Sequence, residues 1–204
     1  MTPVEAAHAL VAALGDSVEA AYAIGSVATG GFEPGSSDLD VVVVLRGSPS
    51  LTELAALADA ARAVDVTPAR GLELVAYARG EVVLNVNTGP GMTEHVGFAG
   101  DDPAFWFVLD RAIAEQHALP LVGPPWAESF PPLPRDEVLA ALRESLDWHD
   151  AAEPASRNAV LNAVRTWRWL ETGEWVSKPE GFDWLTARIR ARLLDDVPDP
   201  RHGT

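Results

Sequence analysis

The sequence contains no cysteine, which excludes disulfide frameworks, thiolate nucleophiles and cysteine metal sites. Cationic side chains are scarce, because 15 Lys and Arg stand against 30 Asp and Glu, giving a formal net charge of −15. This balance argues against a binder of nucleic-acid backbones, and it indicates either that small cations are attracted or that the acidity simply keeps the protein soluble. No apolar run is long enough to span a bilayer, and the first residues lack the features of a signal peptide. We therefore expect a cytoplasmic protein without a membrane partner, and we expect a monomer.

The first part of the chain alternates between helical and strand-like patterns. With 48% hydrophobic and 22% charged residues, the 204-residue chain can bury a substantial core. A capping box at Thr2–Glu5 predicts a first helix that ends at Gly15. A second helix is predicted over 51–64, and strands are predicted over 18–24, 39–45, 72–77 and 82–87. The pattern predicts an α/β lobe with a small mixed sheet.

The later part of the chain has a different character. Helical spacing predicts helices over 105–117, 136–148, 156–172 and 181–194, and the last residues, 199–204, are predicted to fray. Between the first two of these helices, six prolines in residues 119–134 predict a connector without regular helix or sheet. We therefore predict an α+β protein, with a first domain over 1–118 followed by the connector and a helical domain over 119–204.

Two aspartates open the apolar run at 39–45. In a strand, Asp38 and Asp40 project to one face, while Leu39 and Val41 point to the other. Neighbouring carboxylates repel each other unless a cation neutralises them. Just upstream, Gly25 and Ser26 form a small-residue turn that lets phosphate approach the backbone. The arrangement predicts a site for Mg²⁺ and a nucleoside triphosphate, in which a nucleotidyl group is transferred.

Glu73 is the candidate for a third acidic group. It lies between Leu72 and Leu74 in an apolar strand, where a charged side chain is costly unless it is exposed or functional. An attacking hydroxyl has a high pKa, so a positioned carboxylate that accepts its proton would assist the reaction. The alternative is a carboxylate that simply faces solvent on a half-exposed strand.

These motifs resemble those of a known family. Gly25-Ser26 followed by Ser37-Asp38-Leu39-Asp40 resembles the signature of the polymerase-β-like nucleotidyltransferase superfamily. Further segments resemble, in the same order, the aminoglycoside adenylyltransferases that inactivate streptomycin and spectinomycin. These segments are residues 119–124, 157–161, 165–167, 172–173 and 177–178. The resemblance implies a nucleotidyltransferase fold followed by a helical domain, and an enzyme of antibiotic resistance.

The resemblance also implies roles for individual residues. Asp38, Asp40 and Glu73 would form the Mg²⁺ site, and Glu73 would also be the base that activates the acceptor hydroxyl. Gly25, Ser26 and Ser37 would contact the phosphates of ATP. Arg165 and Lys178 would clamp the triphosphate from the helical domain, and without the resemblance both would be interpreted as solvated helix charges. The implied reaction transfers AMP from ATP to a small, cationic hydroxyl acceptor such as an aminoglycoside or aminocyclitol.

Other functions remain open at this point. Residues 148–156 are shorter than the corresponding antibiotic-contacting stretch of the family and lack its final acidic residue, so the identity of the acceptor does not carry over. One alternative is a nucleotidyltransferase that modifies a protein or an RNA, as toxin–antitoxin enzymes do. Another is a catalytically silent nucleotide-binding regulator.

Overall fold

The structure, a computed structural model, describes residues 1–196, so the predicted fraying of residues 199–204 lies outside it. The chain divides into two compact units, Met1–Ser145 and Leu146–Thr204. Within the described part of the chain, no helix combines the length and the apolar character needed to cross a membrane.

The first unit is built on a six-stranded sheet. Its elements in chain order are α1 Pro3–Leu14, β1 Val18–Ala23, α2 Gly25–Ala28, β2 Leu39–Leu45, α3 Leu51–Arg62, β3 Leu72–Ala78, β4 Glu81–Thr88, β5 His95–Phe98, α4 Ala104–His117, β6 Leu119–Val122 and α5 Trp126–Ser129. The strand order is β5-β4-β3-β2-β1-β6. Only β2 and β3 run parallel, and the other neighbours are antiparallel. The predicted mixed sheet and α+β class are confirmed.

The two faces of the sheet bury different side chains. Leu39, Val41 and Val43 of β2 pack with α1 and α3 into one apolar core. The alternate side chain Val42 belongs to a second cluster, which includes Tyr22, Trp126 of α5 and Phe130 just after α5. Because side chains alternate along a strand, Asp40 lies on this second face. The fold therefore buries Leu39, Val41 and Val43 on one face of the sheet and leaves the carboxylate of Asp40 on the opposite face.

The proline-rich connector contains regular structure, which the sequence prediction excluded. Residues Leu119–Val122 form β6, in which Pro120 is the register partner of Tyr22 in β1. The prediction was wrong because β6 is an edge strand, where a proline need not donate to a ladder. Trp126 and Phe130 then pack on Tyr22 with ring centroids 5.0 and 6.3 Å away. These residues belong to the first compact unit, Met1–Ser145, and the division of the domains at residue 118 stays a prediction.

The second unit is helical. Helix α6 Arg135–Ala152 begins in the first unit and ends in the second, and α7 Arg157–Thr172 and α8 Lys178–Asp196 follow. Ser156 caps α7 by accepting a hydrogen bond from the N–H of Ala159, and Gly173 ends it in the left-handed conformation. The three C-terminal helices agree with the prediction, although α6 and α8 are longer than predicted.

Candidate active site

The turn that follows β1 is shaped around the carboxylate of Asp40. Gly25 adopts a φ of 57°, and a Cβ added there would stand 2.5 Å from Asp40 Cγ and closer still to its Oδ2. Glycine is therefore required here, because any side chain would move the carboxylate. Ser26 donates a backbone hydrogen bond to Asp40. Its Oγ is buried and has no hydrogen-bond partner among the described residues.

The parallel pairing of β2 with β3 places two carboxylates side by side. Asp40 is the register partner of Glu73. Neighbouring strands are about 4.8 Å apart, so the two side chains rise from adjacent positions on one face of the sheet. The structure thus brings together two of the residues that the sequence predicts for a single site.

Asp38 is engaged by a cation that belongs to the chain itself. Arg70 donates from Nε to one oxygen of Asp38, and from Nη2 to the other oxygen over 2.9 Å. Arg70 is oriented further by the carbonyl oxygen of Gly91, 3.4 Å from Nη1. The forked pairing neutralises Asp38 and occupies both of its oxygens.

Negative charge accumulates around Asp40. Burial raises the pKa of Asp40 well above its usual value, and the nearby carboxylates of Glu73, Asp110 and Asp38 raise it further. The hydrogen bond from Ser26 opposes this change but does not reverse it. A group in this position releases its proton more readily when a cation arrives.

The carboxylates fit a hard divalent cation in their chemistry. Mg²⁺ is bound through a few carboxylate oxygens together with substrate phosphates. Among residues 1–196, no three Asp, Glu or His side chains converge as a ready-made metal site. Asp38 faces Arg70 instead, so release of that ion pair would be needed for Asp38 to join Asp40 as a metal ligand.

The remaining predicted residues lie at different places. Ser37 accepts a hydrogen bond at its Oγ from the N–H of Glu33 over 3.0 Å, in the loop before β2. Arg165 and Lys178 belong to the second unit, on α7 and at the start of α8. There, Arg165 donates from Nε to the carbonyl oxygen of Val176 over 2.7 Å. Lys178 donates from Nζ to Asn158 Oδ1 over 2.8 Å.

The site contains residues that sequence reasoning missed. Arg70 and Asp110 influence the carboxylates, yet they are distant in sequence from Asp38 and Asp40. Asn87 is the register partner of Glu73 on β4, and His95 is the partner of Asn87 on β5. A signal for Asn87 was present, since a polar side chain in the apolar strand β4 resembles the pattern that identified Glu73.

Comparisons with known protein families match both halves of the chain. A model described as "Nucleotidyltransferase domain" matches residues 9–81, which include Asp38, Asp40 and Glu73. A model described as "Aminoglycoside adenylyltransferase, C-terminal domain" matches residues 128–195, which include Arg165 and Lys178. The resemblance to aminoglycoside adenylyltransferases that the motifs indicated is thereby confirmed.

Individual relatives agree with the family models. The chain is similar to an aminoglycoside (3'') (9) adenylyltransferase of Rhizobium radiobacter, with 36% identity over 91 residues, 41% of this chain and 34% of the relative. It is 32% identical over 102 residues to the Klebsiella pneumoniae protein of the same name, covering 47% of this chain and 39% of the relative. The chain thus matches little more than a third of the length of these curated relatives.

A solved structure shares the fold. Spectinomycin adenyltransferase AAD(9) from Enterococcus faecialis, solved with ATP and spectinomycin, superposes with a TM-score of 0.70 at 18% identity. The superposition covers 94% of this chain and 86% of that protein. The nucleotidyltransferase fold with a helical C-terminal region is therefore shared along nearly the whole chain.

Proposed function

We propose that this chain, which matches a nucleotidyltransferase domain over residues 9–81 and the aminoglycoside adenylyltransferase C-terminal domain over residues 128–195, transfers AMP from ATP to a hydroxyl group of a small cationic acceptor. An aminoglycoside or aminocyclitol antibiotic is the acceptor class that fits best. The observation that carries the proposal is the pairing of Asp40 with Glu73 on adjacent strands, behind the turn at Gly25 and Ser26. Two carboxylates one strand spacing apart suit a pair in which one residue binds the metal and the other accepts a proton.

Glu73 acts as the general base. The acceptor hydroxyl attacks the α-phosphorus of ATP, and its proton passes to a carboxylate oxygen of Glu73. The bond between the α-phosphorus and the bridging oxygen breaks, so pyrophosphate leaves with the electron pair of that bond. Because the register fixes Glu73 beside Asp40, the base lies next to the position where the α-phosphate is held.

Asp38 and Asp40, with Glu73 as the third carboxylate of the set, would hold Mg²⁺ together with the triphosphate once Asp38 is released from Arg70. A metal held there would neutralise phosphate charge and so assist in-line attack on the α-phosphorus. The buried Ser26 Oγ, which has no partner among the described residues, supplies a donor to a phosphate oxygen. Gly25 allows the backbone to approach that phosphate, and Ser37 contacts the phosphates from the loop before β2.

Arg165 and Lys178 meet the charge that develops on pyrophosphate. Charge-assisted hydrogen bonds to phosphate are stronger than neutral ones, so two cations would stabilise the leaving group substantially. The anionic protein, with its formal charge of −15, attracts the cationic acceptor over a longer range. This negative charge favours a small cationic acceptor over a nucleic acid.

The test is pyrophosphate release from Mg-ATP across a panel containing streptomycin, spectinomycin and other aminocyclitols. We expect release with at least one acceptor, and its loss in Glu73→Gln and in Asp40→Asn. Glu19→Gln, which changes an exposed carboxylate on strand β1, is the matched control and should retain activity. ATP binding without release for any acceptor would refute the proposal and favour the silent regulator instead. Release only with an RNA or a protein acceptor would favour the toxin–antitoxin-like alternative.

A further inference from the structure

The polar side chains next to Glu73 form a row across four strands. Asp40 pairs with Glu73, Glu73 pairs with Asn87, and Asn87 pairs with His95. Partners in register project to the same face, so the four side chains stand in this order from β2 to β5. We call Asp40, Glu73, Asn87 and His95 the polar row. It continues the candidate active site towards one edge of the sheet.

The order of the residues in the polar row determines from which side of Glu73 the acceptor approaches. The turn at Gly25 and Ser26 lies on the β1 side of Asp40 and is the predicted phosphate site. The base Glu73 comes next, on β3. A hydroxyl that gives its proton to Glu73 and attacks phosphorus on the β2 side must therefore approach from the β4 and β5 side. Asn87 lies about 5 Å from the base and His95 about 10 Å away, the span of one to two sugar rings.

The far end of the row is built as a fixed hydrogen-bonding site. His95 Nε2 lies 2.9 Å from Asp102 Oδ1, and the other oxygen of Asp102 accepts a hydrogen bond from Asn85 over 3.1 Å. Asn85 is 5% exposed, and the Asp102 side chain is 7% exposed. At Gly97, an added Cβ would stand 2.8 Å from His95 Nε2, so the missing side chain makes room for the pair. The imidazole, whose side chain is 40% exposed, is thereby held in one orientation.

The middle of the row contains an unsatisfied acceptor. Asn87 Oδ1 is buried and has no hydrogen-bond partner among the described residues. A buried carbonyl oxygen without a hydrogen-bond partner is unfavourable, so such an atom within a row of polar side chains indicates that a ligand supplies the donor. The donors that suit it are a hydroxyl or an ammonium group carried by a ring.

We propose that Asn87 and His95 form a subsite for the acceptor, beside the base. The Asn87 oxygen accepts a hydrogen bond from the hydroxyl or ammonium group that neighbours the reacting hydroxyl. His95, positioned by Asp102, bonds to a polar group farther along the same molecule. The subsite selects a polyhydroxylated ring or ring pair over a simple alcohol. This inference rests on the proposed adenylyl transfer, since the direction of approach is defined by Glu73.

The test uses the acceptor that gives the highest pyrophosphate release in the panel above. Loss of one hydrogen bond to the ligand in Asn87→Ala or His95→Gln should raise the KM for that acceptor by about tenfold. The KM for ATP and the Kd for Mg-ATP should not change, because neither residue lies on the phosphate side. His8→Gln on α1, outside the row, is the control imidazole and should leave both KM values unchanged.

A deoxy or deamino analogue of the same acceptor makes the test specific. The analogue lacks the group that neighbours the reacting hydroxyl, so wild type should bind it more weakly than the parent acceptor. Asn87→Ala should bind the parent acceptor and the analogue equally well. Asn87→Ser keeps a polar side chain and provides a second, less disruptive variant. Unchanged acceptor KM in all variants, with normal pyrophosphate release, would overturn the subsite alone. No release with any acceptor in wild type would overturn the subsite together with the proposed function.

Discussion

Replacing Gly25 by alanine should disable the site through a single displaced carboxylate. Gly25 has a φ of 57°, and its missing side chain leaves the space that Asp40 occupies. An added Cβ would stand 2.5 Å from Asp40 Cγ, whereas real Cβ atoms essentially never approach within 3.0 Å of another heavy atom. The carboxylate of Asp40 must therefore move by about 1 Å. A misplacement of that size at a catalytic group costs about 100-fold in rate.

Gly30→Ala provides a matched control. Gly30 has a φ of 76°, and nothing lies within 4 Å of an added Cβ. Both substitutions place an L-residue in the left-handed region, which costs about 1–2 kcal/mol of folding stability. Only Gly25→Ala also meets the carboxylate. The difference between the two variants therefore isolates the contact with Asp40 from backbone strain.

The assay compares urea unfolding, Mg-ATP binding and pyrophosphate release for the two variants and wild type. We expect backbone strain to destabilise both variants, and the contact with Asp40 to destabilise Gly25→Ala further. We expect Gly30→Ala to retain activity and Gly25→Ala to lose about 100-fold in kcat, with weaker binding of Mg-ATP. Equal activity in the two alanine variants would refute the conclusion that Gly25 exists to accommodate Asp40.

Three further predictions concern single charged residues. Burial and neighbouring carboxylates raise the pKa of Asp40 in the folded protein. The protonated carboxyl therefore stabilises the fold fully below the ordinary pKa of an aspartate, and this stabilisation is lost as pH rises through the pKa of the folded state. Asp40→Asn should therefore unfold at a higher urea concentration than wild type at mildly alkaline pH, and this difference should shrink on acidification. A difference that does not change with pH would contradict the raised pKa of Asp40. Arg70→Gln removes the cation that occupies both oxygens of Asp38, so Mg²⁺ alone should raise the Tm of this variant more than that of wild type in a thermal shift assay. Equal shifts would show that Arg70 does not compete with the metal. Lys178→Gln should weaken Mg-ATP binding by about 10- to 100-fold in calorimetry, as expected for loss of a charge-assisted phosphate contact. Arg190→Gln on the same helix is the control and should leave Mg-ATP binding unchanged. Equal weakening by the two variants would indicate a general effect of lost positive charge.

The central carboxylates were predictable because their signals are local. Alternation along the apolar run placed Asp38 and Asp40 on one side of β2, and the structure gives that strand as Leu39–Leu45, as predicted. The capping box at Thr2 also defined the start of α1 correctly. Glu73 was identified because a lone charge in an apolar strand requires an explanation. Each of these features depends on neighbours within a few residues.

Features that depend on strand pairing were not predictable in the same way. Strand β6 was missed because its prolines suggested irregular structure, and only its pairing with β1 shows that it lies at an edge. Strand β5 has four residues, too few for a clear alternating pattern. The polar row needed the register of β3, β4 and β5, which a linear pattern does not contain. The pairing of Arg70 with Asp38 likewise depends on the parallel arrangement of β2 and β3.

Following isotope-labelled phosphate from ATP tests directly whether this chain transfers AMP to its acceptor. With the acceptor that supports pyrophosphate release, ATP labelled at the α-phosphate should transfer its label to the acceptor, whereas label at the γ-phosphate should appear only in pyrophosphate. Glu73→Gln should abolish the transfer while Mg-ATP still binds. Label from the γ-phosphate on the acceptor would identify phosphoryl transfer instead, and normal transfer by Glu73→Gln would contradict the assignment of Glu73 as the base.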